Sequence, residues 1–366
     1  MTDTGAAVSA LTAAWLRALP LDEDTVVSGA GLWPLLGLLA GAADGPARAE
    51  LSAAVGLDAD VAARAAGELL AALDASPDIA AASGTWVRPG VPLADWWRAH
   101  VPADSIGELV SQQALDDWAG EHTGGLIERM PVRLAPQVRL VLATAVVLRT
   151  TWRSPFREIG HDGNTVLTRS TGGVEDVAVH SGRTTVISVR GEQDVDVMLG
   201  IGAEDAAPAD VLTALLTGEV SATGEDLLAG PDPAPAPALA LRTVTGHAPR
   251  TELTVPAFEV RRTHDLLRHA DVLGLRSAAA DGGFPRLSPQ PLRVDQAAQQ
   301  VLARFFATGF EAAAVTSVGM RASAMSRPGQ TRVVSVRLDR PFGFAAVHRP
   351  TGVPVVAGWI ADVPEF

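Results

Sequence analysis

The sequence predicts a mixed α+β fold, and three observations carry that prediction. Apolar residues recur at helical spacing near the start, as Val8, Leu11, Trp15 and Leu19 do between residues 4 and 19. Val138 to Leu148 is a nearly continuous apolar run, as expected of a central strand covered on both faces. The runs Thr184 to Val189 and Val195 to Ile201 read as antiparallel strands.

Taken in order, the first helix ends at Pro20, which cannot continue it. Val26-Val27-Ser28 then leads into an uncharged span, Thr25 to Ala43, that approaches membrane length but carries Pro34 and four glycines between Asp24 and Asp44. It reads as a buried helix. Gly29-Ala30-Gly31 lacks the third glycine of a dinucleotide fingerprint. Pro46 to Val55 is a short helix with a proline start and a glycine stop at Gly56. Residues 58 to 74 form an Ala/Leu helix, Ile79 to Val87 a strand and Leu93 to His100 a helix. A helix also holds Trp118, Pro208 to Leu216 is another, Val255 to Val260 is a strand, and Asp265 to Leu275 a helix. The Pro/Ala alternation in Leu228 to Leu239 reads as a surface connection.

Composition narrows the chemistry. The chain has 366 residues, 47% hydrophobic against 19% charged, and a net charge of -13, which argues against nucleic acid or an anionic membrane as partner. All 29 basic residues are arginine, which rules out a Walker-type phosphate loop and points to a bacterial source with a GC-rich genome. There is no cysteine, so disulfides, thiolate metal sites and cysteine nucleophiles are absent. Met1 to Ala7 lacks the basic start of a secretory signal, so the chain as written is expected to be cytoplasmic, with secretion of a trimmed form left open. No Gly-x-Ser-x-Gly elbow, His-Glu-x-x-His pair or metal-spaced carboxylate cluster occurs, so neither cofactor nor metal is expected. His264 and His269 are five apart, off one helical face, and read as solvated histidines.

The stretch from Leu302 to Phe342 is different. It begins as an apolar strand, passes Gly309, becomes a run of small residues from Ala312 to Ser317, and loses hydrophobic periodicity until Val333. The small side chains can enter the middle of a sheet, whereas Arg321 to Gln330 reads as an exposed loop. Ala307, Thr308, Gly309, Phe310, Glu311, Ala312, Ala313, Ala314, Val315 and Thr316 stand in the order of the hinge of the serpins. Pro341, Phe342, Phe344, Thr351, Gly352 and Gly358 follow in the order of that family's carboxy-terminal motifs. Ser28, the Trp118 segment with Thr123, Gly125 and Ile127, Trp152 with Phe156, and the Val-Pro-Ala-Phe at Val255 match further upstream. The chain resembles a serpin from end to end.

That resemblance implies one domain built on a large central β-sheet with smaller sheets, surrounding helices and a reactive-centre loop at about 309–332. It implies a monomer that inhibits serine proteases as a suicide substrate, by loop cleavage and insertion into the central sheet. The hinge would be Gly309 to Thr316, and counting along the loop leaves Arg321, Ser323, Ala324 and Met325 as candidates for the cleaved bond, most favourably Ser323-Ala324. Small or apolar candidates favour a subtilisin- or elastase-like target, with a trypsin-like one at Arg321. Trp152 would sit at the top of the central sheet where the loop first enters. Ser28, Thr144 and Gln299 would lie beneath the opening point, the last two standing where the family has Asn and commonly His, so that its usual hydrogen-bond pair is altered. Phe310 stands where inhibitors carry a small residue; as the first side chain buried on insertion it would overpack at a cost of about 1–3 kcal/mol. The alternative is a non-inhibitory member that carries a small hydrophobic molecule or serves a biosynthetic pathway as an enzyme.

Overall fold

A computed structural model describes residues 3–161, 163–230, 236–280, 283–310 and 329–366. The chain opens with α1 (Asp3–Arg17), β1 (Thr25–Val27), α2 (Gly29–Ala42), α3 (Gly45–Val55), α4 (Ala59–Asp74) and β2 (Ile79–Val87). It continues through α5 (Asp95–His100), β3 (Ile106–Glu108), α6 (Gln112–His122), β4 (Leu140–Leu148), β5 (Thr150–Thr151), β6 (Arg157–His161) and β7 (Asn164–Gly172). Next come β8 (Val177–His180), β9 (Thr184–Arg190), β10 (Val195–Gly202), α7 (Pro208–Thr217), β11 (Val220–Thr223), α8 (Gly224–Ala229), β12 (Leu239–Gly246) and β13 (Arg250–Pro256). The last elements are β14 (Phe258–Asp265), α9 (Ala270–Leu273), β15 (Ala298–Phe305), β16 (Gly309–Phe310), β17 (Gly329–Arg337), β18 (Phe342–His348) and β19 (Val353–Ile360).

Local chemistry sets several boundaries. Ser28 caps α2, its hydroxyl accepting from the Gly31 N–H at 3.0 Å. Pro46 opens α3, and Gly56, at φ 71°, closes it in the left-handed region that suits glycine. The expected strand over Val255 to Val260 is two strands in different sheets, parted at Ala257, because Pro256 has no N–H to carry the first ladder onward. The expected helix from Asp265 to Leu275 is a 3-10 turn over Leu266–His269 followed by the single turn of α9, which Gly274 stops at φ 66°. Among the described residues no helix is long and apolar enough to cross a membrane, and the Thr25 to Ala43 span is β1 and the buried α2.

The described residues form four sheets. One has seven strands in the order β1-β19-β18-β10-β9-β8-β11, and one has five in the order β12-β17-β13-β7-β6. The other two, β14-β15-β16-β5 and β3-β2-β4, are joined by the chain passing from β4 to β5, and no hydrogen-bonded ladder links β4 to β15 among the described residues. A gap therefore separates them. Only three of the nine β4 positions are buried, fewer than a strand covered on both faces would have, and among the described residues it pairs with β2 alone.

The main core joins α1, α2 and α7 to the seven-stranded sheet through Trp15, Trp33, Phe342, Phe344 and their neighbours, all fully buried. A second, smaller cluster forms where α6 covers β2, around Trp86, Leu115 and Met130.

Candidate functional site

The gap is closed at one end by the chain that follows β15. After β15 the chain turns tightly, the Phe306 N–H donating to the Gly309 carbonyl at 2.9 Å, and re-enters as β16. Phe310 pairs with Phe305 on one side and with Thr150 on the other, both antiparallel. The segment after β5 holds the same turn from its edge. The Trp152 indole donates to the Phe306 carbonyl at 2.8 Å, the Trp152 N–H to Thr308 at 3.0 Å, and the Phe156 N–H to Ala307 at 2.8 Å.

Phe310 is 1% exposed, with its ring centroid 6.3 Å from that of Phe344 in the seven-stranded sheet. This corrects the expectation that Phe310 is swallowed only when the loop inserts. It is already a core residue, since a benzyl group of this size gains more from the apolar interior between β15 and β5 than from solvent. Trp152, 1% exposed and with its ring 5.0 Å from that of Phe305, packs next to it.

Further down, the gap is bridged by side chains. Gln299 on β15 accepts from the Ser28 N–H at 2.9 Å and donates to the Ser28 carbonyl at 3.0 Å. The Ser28 hydroxyl donates to the Val355 carbonyl at 2.8 Å, and the Thr144 hydroxyl on β4 donates to the Gly31 carbonyl. Thr144 and Gln299 thus each reach the first turn of α2. The altered pair still ties both strands to one point, because Gln presents an acceptor and a donor to the same peptide and Thr needs only one carbonyl.

Residues far apart in sequence fasten β5 from behind. The Glu192 N–H donates to the Thr151 carbonyl at 2.9 Å and the Arg153 N–H to Arg190 at 3.0 Å. That turn rests on two buried carboxylates. Asp196 accepts from the Gly191 N–H at 3.0 Å, from Arg190 at 2.8 Å and from Arg349; Asp78 accepts from the Asp194 and Val195 N–H groups, each at 3.0 Å. Burial raises the Asp78 carboxyl above its ordinary range and lowers His348 nearby. Arg169, over the Phe156 ring at 4.8 Å, is pulled down to about 10 by burial. None of these residues was legible as a site from sequence, since no spacing brings 78, 196 and 349 together.

Other expectations resolve simply. His264 is not solvated: on β14 it is buried, its Nε2 2.8 Å from the Val26 carbonyl and its ring 5.3 Å from Trp15, and burial lowers its pKa. Glu311 to Thr316 and the bond candidates Arg321, Ser323, Ala324 and Met325 lie outside the described residues. Among the described residues no group of three or more His, Asp or Glu could hold a metal ion.

The serpin (serine protease inhibitor) family model matches residues 7–162 and 238–363. Among solved structures, the cleaved serpin 42Da is 16% identical, with a TM-score of 0.74 over 99% of this chain and 98% of that one. The thermophilic serpin tengpin in its native state is 15% identical at a TM-score of 0.75, over 99% and 95%. A complex of thyroxine-binding globulin with thyroxine is 14% identical at 0.70, over 99% and 98%. At these identities the likeness is one of fold.

Proposed function

Because this chain belongs to the serpin family, we propose that it inhibits serine endopeptidases as a suicide substrate, the whole chain acting as one domain and as a monomer. The observation that carries this reading is the gap between β4 and β15 with β16 seated at its upper end. The protease serine attacks a peptide bond within residues 311–328, the amine side leaves, and the acyl-enzyme ester remains on the amino-terminal side. That side continues β16 down the gap as a new strand, satisfying the facing edges of β4 and β15. Carrying on the pairing of Phe310 with Phe305 puts Ala312, Ala314 and Thr316 on the inward face, with Thr316 level with Gln299. Small side chains at those positions suit entry into a packed interior. The protease is displaced and distorted before its ester is hydrolysed, and the driving force is the relief of a metastable native sheet.

The bait bond is Ser323-Ala324, with Arg321, Ala324 and Met325 as the other candidates, and the target is subtilisin- or elastase-like. Incubation with a panel of serine proteases at near-equal concentrations tests this. The expected product is a covalent complex that survives denaturing electrophoresis, and mass spectrometry of the released carboxy-terminal peptide should give a start within 322 to 328. Clean cleavage by every protease without complex would overturn inhibition.

A second reading, a non-inhibitory member that carries a small molecule or works as a pathway enzyme, is favoured by Phe310. A hinge whose first large side chain is already buried starts from a more stable state, which slows further insertion relative to ester hydrolysis.

A further inference from the structure

Beyond the bridge of Gln299 to Ser28, the first residues of β4 and the segment 291–296 line a cleft of about 350 Å³, within the range of clefts that take small ligands. Its apolar lining includes buried Val132, Val138 and Leu292. Side-chain amides pin the segment that leads from α6 into β4: Gln296 accepts from the Arg133 N–H at 2.9 Å and donates to the Arg133 carbonyl at 2.8 Å, while Gln112 of α6 accepts from the Leu134 N–H at 2.8 Å and donates to the Val132 carbonyl at 3.2 Å. The cleft is therefore shaped before any ligand arrives.

Charge there runs against the rest of the molecule. The chain has 42 acidic residues to 29 arginines, yet Arg133, Arg139 and Arg293 line this cleft with a single carboxylate, Asp295, which lies 2.7 Å from Arg293 and offsets that one. Among the described residues the Arg133 guanidinium has no hydrogen bond or ion pair, and Arg139 donates to the neutral Gln290 side chain. Arg88 grips the same wall through two more neutral groups, the Val138 carbonyl at 2.9 Å and the Ala135 carbonyl at 3.0 Å. Asp116 of α6 is engaged by Gln112 and by the Met130 N–H, each at 2.9 Å. Three guanidiniums, Arg88, Arg133 and Arg139, thus meet neutral partners or none. Their mutual repulsion is relieved by an anion, and the planar fork of Arg binds carboxylate and phosphate groups in pairs of hydrogen bonds.

We propose that this cleft binds a compact polyanion, a small molecule with two or more carboxylate or phosphate groups, held by Arg133 and Arg139 with Arg88 adding to the field. The site is independent of the loop chemistry, because it is lined by residues outside 311–328. One consequence does rest on the proposed function: the cleft borders the part of β4 that an inserted segment would reach last, so the anion would have to leave before insertion was complete.

The test is calorimetric titration of the full chain with pyrophosphate and with citrate at fixed ionic strength, with acetate as the singly charged control. Saturable binding of pyrophosphate or citrate is expected, at least roughly tenfold tighter than that of acetate, and the tighter of the two tells a phosphorylated ligand from a polycarboxylate. The doubly substituted Arg133→Gln, Arg139→Gln chain, changed only at exposed positions, should bind roughly tenfold more weakly. Arg133→Gln alone, which takes no partner from the fold, should weaken binding in the same direction. Arg17→Gln with Arg64→Gln, which removes the same charge from exposed positions on α1 and α4, should bind as wild type does. Absence of saturable binding, acetate binding as tightly as the polyanions, or equal affinities in the two doubly substituted chains would each overturn the proposal. None of these readouts depends on protease inhibition, so either reading can fail without the other.

Discussion

The seven-stranded sheet and the divided one are built from similar residues and behave oppositely. β19 is buried at all eight positions and β18 at six of seven. β4, almost wholly Val, Leu and Ala, and β15, which also carries Gln299, Gln300 and Arg304, are buried at three of nine and three of eight. In the first sheet each interior strand has two neighbours and a helical layer. In the second, two edges face each other with no strand between them among the described residues, held by Phe310 above and by Ser28, Gln299 and Thr144 below. Sequence patterning that guarantees a strand therefore does not guarantee its partner.

The largest expected effect separates the two sheets directly. Phe344→Ala should cost about 3–5 kcal/mol, since it empties a fully buried site shared with Phe258 and Phe310. Leu142→Ala, on the half-buried β4, should cost less than about 2 kcal/mol. Equal losses in denaturant melts would show that the divided sheet is as tightly packed as the closed one.

Phe310→Thr comes next, at about 3 kcal/mol of native stability, because it removes a plug from a filled site. If Phe310 is purely structural, the number of molecules consumed per protease blocked stays unchanged while the melting point falls. A fall in that number without loss of stability would instead return Phe310 to a gating role.

Gln299→Ala should cost about 1–3 kcal/mol by leaving the Ser28 N–H without its partner, while the Ser28 carbonyl still accepts from the Leu32 N–H. Gln299→Glu, which keeps the acceptor and loses the donor, should fall between. If Gln299→Ala melts like wild type, the bridge contributes nothing to holding the gap.

The smallest effect is a pH slope. Burial, helped by His269 and Arg262, depresses the His264 pKa, so its contribution to stability is present above the ordinary value of about 6.5 and is lost as pH falls through the depressed one. The melting temperature should drop from pH 7.5 to pH 5 more steeply in wild type than in His264→Gln, whose amide can still donate to Val26. Parallel curves would mean that His264 titrates equally in folded and unfolded chains.

What the sequence determined by itself is local and ordered along the chain. The helices from α1 to α4 and strands β2, β9 and β10 follow from periodicity, proline and glycine, because 3.6- and 2-residue spacings decide which face is buried before any partner is chosen. The hinge order from Ala307 onward and the Trp152–Phe156 pair were legible only as motifs resembling those of the serpins. Only the tertiary structure decided that Phe310 is buried, that Gln299 and Thr144 meet the first turn of α2, that His264 faces Val26, and that Asp78 and Asp196 brace the turn behind β5. Each of those depends on contacts between segments far apart in the chain. Burial and hydrogen-bond satisfaction are settled by what arrives from elsewhere, and a side chain's spacing from its neighbours carries no record of that.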